Sequence, residues 1–545
     1  MNGTRLSAVV LLVLAAAWPA SADGTFAFGA SGAGSPSFAA LRQGGAQAVK
    51  IVADWSAIES TRGRWAWQDL DAAVAAARRE GLQPVVVLAY TPVWASLATG
   101  DDARNPLVAT RLPPRNLADW ERFAGEAVRR YRDTVKDWQV WTVPALPHFR
   151  GTASEYLNLL RATRRAAATA DRGSRLVVAS PPGFDLIHVQ RVLAAAPDAV
   201  SAISLGPAGL APEQWLRPLA ALRTRVLART DRPLWLEWAP DRRDPSAALV
   251  RAAALARATG VARLFLADGR PLEPAARSLL AGIDPLSFTG FLIREPGVVA
   301  LVFGAGEGAV LIVWRSDGTA TLDVPVLPGA RILSPGGGAA VPAPEGQATL
   351  QVGPTPVLIT GLAPSLVEEA RGTIQQRGSV LPVLPPERDF SGAAEVSLRL
   401  GRESVERGLT LVRAARNAPL EIVEVNGEPA ARVAAGADAA FLYFDIDDSF
   451  LFFNDQRFDV LVTVEVFGAR AAQSFGFNLF YDARSGYRFT PWQWVEPKDG
   501  WVSAAFRLED ANLANTAGWD LAINLGANRR EDLLLRSLLV RKVAR

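Results

Sequence analysis

Between about Thr25 and Ala267 short β-rich apolar runs alternate with longer Ala/Arg/Leu stretches whose apolar residues recur at helical spacing. That alternation is the signature of parallel strands covered by helices. The strand candidates are Thr25–Gly29, Ala48–Asp54, Pro84–Tyr90, Trp138–Trp141, Arg175–Ser180, Ala199–Leu205, Pro233–Trp238 and Ala262–Ala267, with amphipathic helices such as Leu70–Glu80, Leu117–Tyr131 and Ala153–Ala170 between them. Eight repeats in about 240 residues match the size of a (β/α)₈ TIM barrel, here expected over residues 23–285. A doubly wound open sheet is the competing architecture, but no Gly-rich phosphate turn follows the first strand.

After Ile283 the texture changes to short alternating runs separated by Gly and Pro, which predicts a small antiparallel β-sandwich over 286–362. A polar, Pro-containing stretch at 363–389 reads as a linker. Beyond it, runs such as Phe441–Ile446, Arg457–Phe467, Ser474–Tyr481 and Trp501–Leu508 recur at sandwich spacing and predict a β jelly roll over 390–545.

The N-terminus places Arg5 before an apolar run from Leu6 to Trp18 and then Ala20-Ser21-Ala22, the pattern of a cleavable signal peptide over 1–22. The run is shorter than the roughly 20 residues a spanning helix needs, so a secreted or periplasmic protein with no transmembrane segment is expected. The chain has no cysteine, which excludes disulfides, thiolate metal sites and thiol catalysis. Net charge is +3 and acids are interspersed with the arginines, so nucleic acid is not an expected partner.

In a (β/α)₈ barrel the loops after the strands converge on one mouth, and chemistry is read from the strand ends. Strand two ends in Asp54-Trp55-Ser56-Ala57-Ile58-Glu59, followed by Gly63, Trp65, Trp67 and Asp71, and strand three in Tyr90-Thr91-Pro92-Val93-Trp94-Ala95. These segments resemble the W-x-x-I-E-x-x-x-G-x-(aromatic)-x-W-x-x-L-D and Y-T-P-x-W-A stretches of clan-A glycoside hydrolases, nearest to family 39, and the similarity covers somewhat more than half of the chain. The resemblance implies a retaining hydrolase with an acid/base glutamate in Asn-Glu-Pro after strand four and a nucleophilic glutamate after strand seven. Retention needs those carboxyl groups roughly 5–5.5 Å apart.

Strand seven reads Leu234-Trp235-Leu236-Glu237-Trp238, so Glu237 matches the nucleophile position, with Leu236 where a threonine is usual. Strand four continues Trp141-Thr142-Val143-Pro144, with Thr142 in the asparagine's place and Val143 in the acid/base position. A valine carries no proton. Strand six ends in Leu205-Gly206-Pro207 rather than the His-Pro-Tyr type of many relatives.

Glu237 is therefore a candidate nucleophile, a ligand-binding carboxylate, or an interior glutamate paired with an arginine. His148, just after the altered motif, is a candidate substitute acid or a hydrogen-bonding loop residue, and with only two histidines no metal site is expected. Trp55, Trp94, Trp141 and Trp238 stand near strand ends and either stack on sugar rings or pack the barrel, whereas Glu59 and Asp71 read as structural. In the last domain Tyr487, Trp492 and Trp494 suggest a sugar-binding surface, with core packing as the alternative. Asp445, Asp447 and Asp448 lack a calcium ligand spacing.

The expected function is that of an exported glycoside hydrolase-like protein which binds polysaccharide without normal hydrolysis. An active retaining glycosidase with a non-standard acid, or a structural component of an exopolysaccharide system, are the alternatives. No cofactor is expected.

Overall fold

The computed structural model describes residues 27–30 and 38–545 apart from 146, 208, 229, 241–244, 268–272, 285, 335–339, 382–383, 385, 413–416, 437–439, 455–456, 469–472, 498–499, 517 and 527–529. The signal segment expected at 1–22 lies outside the described residues. The chain divides into two compact units that do not follow chain order: one contains Arg242–Ala262 and Leu272–Val383, the other Ala27–Asp241, Arg263–Pro271 and Leu384–Arg545.

The second unit holds the parallel strands β1 (Ala27–Ala30), β2 (Ala48–Asp54), β3 (Gln83–Ala89), β4 (Asp137–Val140), β5 (Arg175–Pro182), β6 (Ala202–Gly206) and β7 (Leu234–Trp238), together with the paired residues of β8 (Val261–Leu266). Each of β1 to β6 pairs in parallel with the next, and β8 pairs with β1. At the remaining seam the Ala267 N–H donates to the Trp238 carbonyl at 2.9 Å. The result is a curled, barrel-like parallel sheet. Strands such as β3 are near-continuous apolar runs because both faces are covered.

Helices start where a side chain can satisfy their first N–H groups. Asn116 caps the helix Leu117–Tyr131, and Thr152 with Glu155 forms a capping box on Ala153–Ala170. At the N-terminal end of the sheet, buried Asp137 of β4 takes Arg175 of β5 at 2.7 Å and Arg263 of β8 at 3.1 Å, and Arg263 also reaches Gln83 of β3. One carboxylate thus ties several strands together on the face opposite the mouth.

The C-terminal part of the same unit consists of antiparallel sheets around one apolar core. The strand Leu533–Ala544 pairs with Glu395–Arg399, Glu428–Val433 and Phe458–Phe467. The sequence pattern locates Phe441–Ile446 and Trp501–Leu508 to the residue but misses Glu395–Arg399 and Glu428–Val433, whose alternation is diluted by charge.

The first unit carries the helices Pro245–Ala258 and Pro274–Ile283 and antiparallel strands from Phe288–Leu292 to Val357–Thr360. Here the linker expectation is corrected, because Pro364–Arg377 is a helix with Leu366, Val367 and Ala370 buried. It lies so close to the strand Phe288–Leu292 that a Cβ on Gly290 would come within 2.0 Å of the Ala370 carbonyl oxygen. Pro364 is compatible with helix position N1 and Gly378 ends the helix with φ +68°, so the two residues that resemble linker punctuation are its boundaries.

Candidate functional site

Asp54, the last residue of β2, accepts from Ser56 N at 2.9 Å and Ser56 Oγ at 2.6 Å, which starts the short helix Trp55–Ile58. That turn drives Trp55 and Glu59 inward. The Glu59 carboxylate is fully buried and accepts from Trp55 Nε1 (2.8 Å), Gly63 N (2.6 Å) and Arg122 Nη2 (2.7 Å). Trp55 stacks on Phe123 with centroids 5.3 Å apart. Trp94 donates its ring N–H to the Glu59 carbonyl, stays half-buried, and has the Arg62 guanidinium 5.5 Å above its ring.

After β3 and β4 the backbone turns through two aromatic residues in the left-handed region, Tyr90 and Trp141, both at φ +64°. Bulky residues adopt this conformation only where the surroundings impose it, at about 1–3 kcal/mol each. Trp141 is held by its N–H to Leu88 O and its Nε1 to His148 O. The Tyr90 ring lies under the Arg111 guanidinium at 5.5 Å, and its hydroxyl is 3.5 Å from Thr142 Oγ1. Arg111 Nη1 is 3.2 Å from His148 Nδ1 and 3.3 Å from Pro147 O. Val143 is half-buried in the same loop. Burial and then the Arg111 charge hold the His148 pKa below the usual histidine range.

At β7 Glu237 is paired. The Lys50 ammonium, 3% exposed, reaches Glu237 Oε2 at 2.6 Å, donates to Ser204 Oγ at 3.0 Å, and stands 4.7 Å over the Phe265 ring. Side chains from β2, β6, β7 and β8 therefore meet at one point, with the Glu237 side chain 30% exposed and the lysine nearly enclosed.

No protein-family model matches the chain, and no curated protein does either. Solved structures do. A family 39 glycoside hydrolase from the gut symbiont Bacteroides cellulosilyticus WH2 superposes with a TM-score of 0.51 at 16% identity, over 62% of this chain and 81% of that one. A family 30 endoxylanase from Clostridium papyrosolvens C71 gives 0.47 at 13% identity, over 62% and 97%.

The chain has a glycoside hydrolase-like fold.

Within that glycoside hydrolase-like fold the strand ends hold a mixed outcome for the residues singled out in the sequence. Glu237, Trp94 and His148 keep partly open surfaces. Trp55, Trp141 and Trp238 are 0–3% exposed, each spends its ring N–H inside the protein, and Trp238 meets Trp215 edge-on at 5.3 Å. Of the two roles expected for them, this burial matches packing. Lys50, Ser204 and Arg111 were not read from the sequence, and Tyr90 was read only as part of the strand-three motif. A lysine inside the otherwise apolar run of β2 is the one signal that pointed to a buried partner.

In the C-terminal sheets Trp492 and Trp494 are 44% and 62% exposed and lie within 29° of parallel at 6.4 Å. Gly476 and Gly526 give them room, since a Cβ there would come within 3.1–3.3 Å of the indoles. Phe489, also exposed, stacks on Phe480 at 4.3 Å. Tyr487 is less available, because its hydroxyl donates to Trp519 O and its ring packs on Trp519 at 4.2 Å.

Nearby, burial pushes the Asp445 carboxyl up to about 6 and, with the Asp445 charge, Asp448 up to about 7, while fully buried Asp520 is raised further by both. Asn515 Nδ2 donates to Asp448 at 3.0 Å, and Asp520 accepts from the Asn515 and Ile446 N–H groups. Among the described residues no group of three His, Cys, Asp or Glu side chains is arranged to hold a metal ion, and no helix is long and apolar enough to cross a membrane.

Proposed function

We propose that the chain is an exported protein in which a (β/α)₈ glycoside hydrolase scaffold holds polysaccharide without ordinary hydrolysis. The observation that carries this reading is the β4 corner, where Val143 and Thr142 stand in the positions of the acid/base pair and no neighbour replaces the missing proton. Arg111 brings a guanidinium to this corner rather than a carboxylic acid. His148 is depleted of its acid form at neutral pH by burial and by Arg111. Trp94 and the half-buried loop around Tyr90 and Thr142 offer the contacts for a sugar. Trp492 and Trp494, with a lesser contribution from Tyr487, add a second grip on the same polymer, which raises avidity without new contacts at the mouth. Export follows from the signal pattern of residues 1–22.

One observation favours a second reading. The Lys50 side chain reaches Glu237 Oε2 at 2.6 Å, so a cationic group is held beside the carboxyl group that would serve as nucleophile. An unassisted nucleophile still attacks substrates whose leaving groups need no protonation, and this separates the two readings.

The test is glycan-array binding by the full chain, run beside hydrolysis of the same polymers and of activated aryl glycosides. Binding with no turnover of polymers is expected. Multiple-turnover hydrolysis that is lost in Glu237→Gln would replace this reading with the active glycosidase. Absence of all glycan binding would favour a structural role in an exopolysaccharide system.

A further inference from the structure

Arginine is the dominant cation of this chain, and several arginines around the barrel-like sheet meet a carboxylate: Arg62 meets Asp119, Arg104 meets Asp101, Arg122 meets Glu59 and Arg130 meets Asp71. Three arginines in the segments after β3 and β4 do not. Among the described residues no carboxylate lies within ion-pair distance of Arg111, Arg115 or Arg150.

Arg115 is bound only to the Ser96 and Ala98 carbonyls, and Arg111 only to a carbonyl, a histidine ring and a tyrosine face. Arg150 is exposed, and its backbone N–H donates to the Arg111 carbonyl at 2.8 Å, so the two arginines are neighbours along the joined backbone. The unpaired acid of these loops is exposed Asp102, on the short helix Gly100–Arg104.

Position makes this imbalance informative. Arg111 is half-buried at the corner that Val143 occupies, and its charge is felt there, since it discourages protonation of His148. A half-buried guanidinium has lost part of its hydration and has recovered it with neutral acceptors only, which leaves N–H donors and positive potential for an incoming anion. A neutral sugar returns little of that electrostatic energy. A carboxylate or sulfate returns it through charge-assisted, bidentate hydrogen bonds.

Resting on the glycan-binding reading above, we infer that the mouth selects an acidic polysaccharide and that Arg111, with Arg150 beside it, is the determinant of that choice. The loss of the proton donor and the presence of an unpaired arginine then have one explanation: the corner recognises a negative charge where a hydrolase would place its acid.

The experiment compares binding of the full chain to polygalacturonate, dextran sulfate and a neutral glucan at low and at moderate salt, for wild type, Arg111→Lys, Arg111→Gln and Arg150→Gln. Wild type is expected to bind at least one acidic polymer at least tenfold more tightly than the glucan, with that preference shrinking as salt rises. Arg111→Gln and Arg150→Gln should each lose most of the preference while glucan binding is retained, and Arg111→Lys should restore part of it. Among the described residues Arg150 makes no side-chain bond, so its variant tests the idea even where a change at Arg111 disturbs the loop. Preference for polygalacturonate identifies a carboxylate as the recognised group, and preference for dextran sulfate identifies a sulfate. Equal affinity for acidic and neutral polymers, unchanged in the variants, overturns the inference and leaves glycan binding standing. No binding to any polymer overturns both.

Discussion

The barrel-like sheet and the C-terminal sheets both bury carboxylates and pair some of them with arginine, as Asp459 is paired with Arg507 and Arg545, but the C-terminal sheets also gather three into one cluster. In the former, Glu59 and Asp137 each meet arginine, and Glu237 meets Lys50. In the latter, Asp445, Asp448 and Asp520 lie close enough to repel one another and are met by amides. The tryptophans divide the same way: Trp55, Trp141 and Trp238 are packed and hydrogen-bonded inside, whereas Trp492 and Trp494 stand in solvent. Burying a charge or a large ring is tolerable only with compensation. The contrast therefore marks which residues hold the fold and which remain available for another task.

The sharpest way to break the comparison is at Glu59. Glu59→Ala removes the acceptor for Arg122, the Trp55 ring N–H and the Gly63 N–H together. A loss of about 3–5 kcal/mol in urea unfolding is expected, the cost of stranding one partner of a buried pair. A loss under about 1 kcal/mol would mean that the motif is not the anchor its geometry indicates.

Acidity separates an arginine-paired carboxylate from the clustered ones by sign. Asp71 has a pKa lowered by Arg130, so its stabilisation is present above the ordinary carboxylate range and is lost as pH falls through the lowered value. Asp448 and Asp445 have raised values, about 7 and about 6, so their contribution is fully present below about 4 and is lost as pH rises to about 7. The C-terminal sheets should gain on the order of 2 kcal/mol between pH 7.5 and 5, read by hydrogen exchange of their amides. Asp448→Asn should flatten that dependence. A C-terminal region that instead loses protection across this range would contradict the assigned carboxylate environment.

These contrasts also show what could be read from the chain beforehand. The parallel strands were legible because a buried strand such as β3 is an unbroken apolar run, and Val143 was legible because a missing carboxylate is visible in one dimension. The Lys50–Glu237 pair was not, since it joins residues 187 apart through the curvature of the sheet. Arg111 was illegible for a different reason. In an arginine-rich chain its importance lies in the partner it lacks, and only the fold shows which arginines are paired. The sequence left the barrel tryptophans open between stacking on sugar and packing, because a strand-end position gives no information about the direction in which the following backbone turns. The positive φ of Trp141 sends its ring inward to His148 O rather than toward a ligand.

The smallest expected effect is the one that tests function on the exposed side of the comparison. Trp494→Ala removes a ring that is 62% exposed and shares its orientation with Trp492. Stability should stay within about 0.5 kcal/mol, because a surface ring contributes little to the core. Affinity for a polymer that engages both the mouth and the C-terminal sheets should fall about tenfold, equivalent to about 1.4 kcal/mol, while binding of a short oligosaccharide that engages the mouth alone should not change. Isothermal titration with the two ligand lengths distinguishes the outcomes. Equal losses for both lengths would move Trp494 from an independent grip on the polymer to a support for the mouth, and no loss for either would leave the exposed pair without a glycan role.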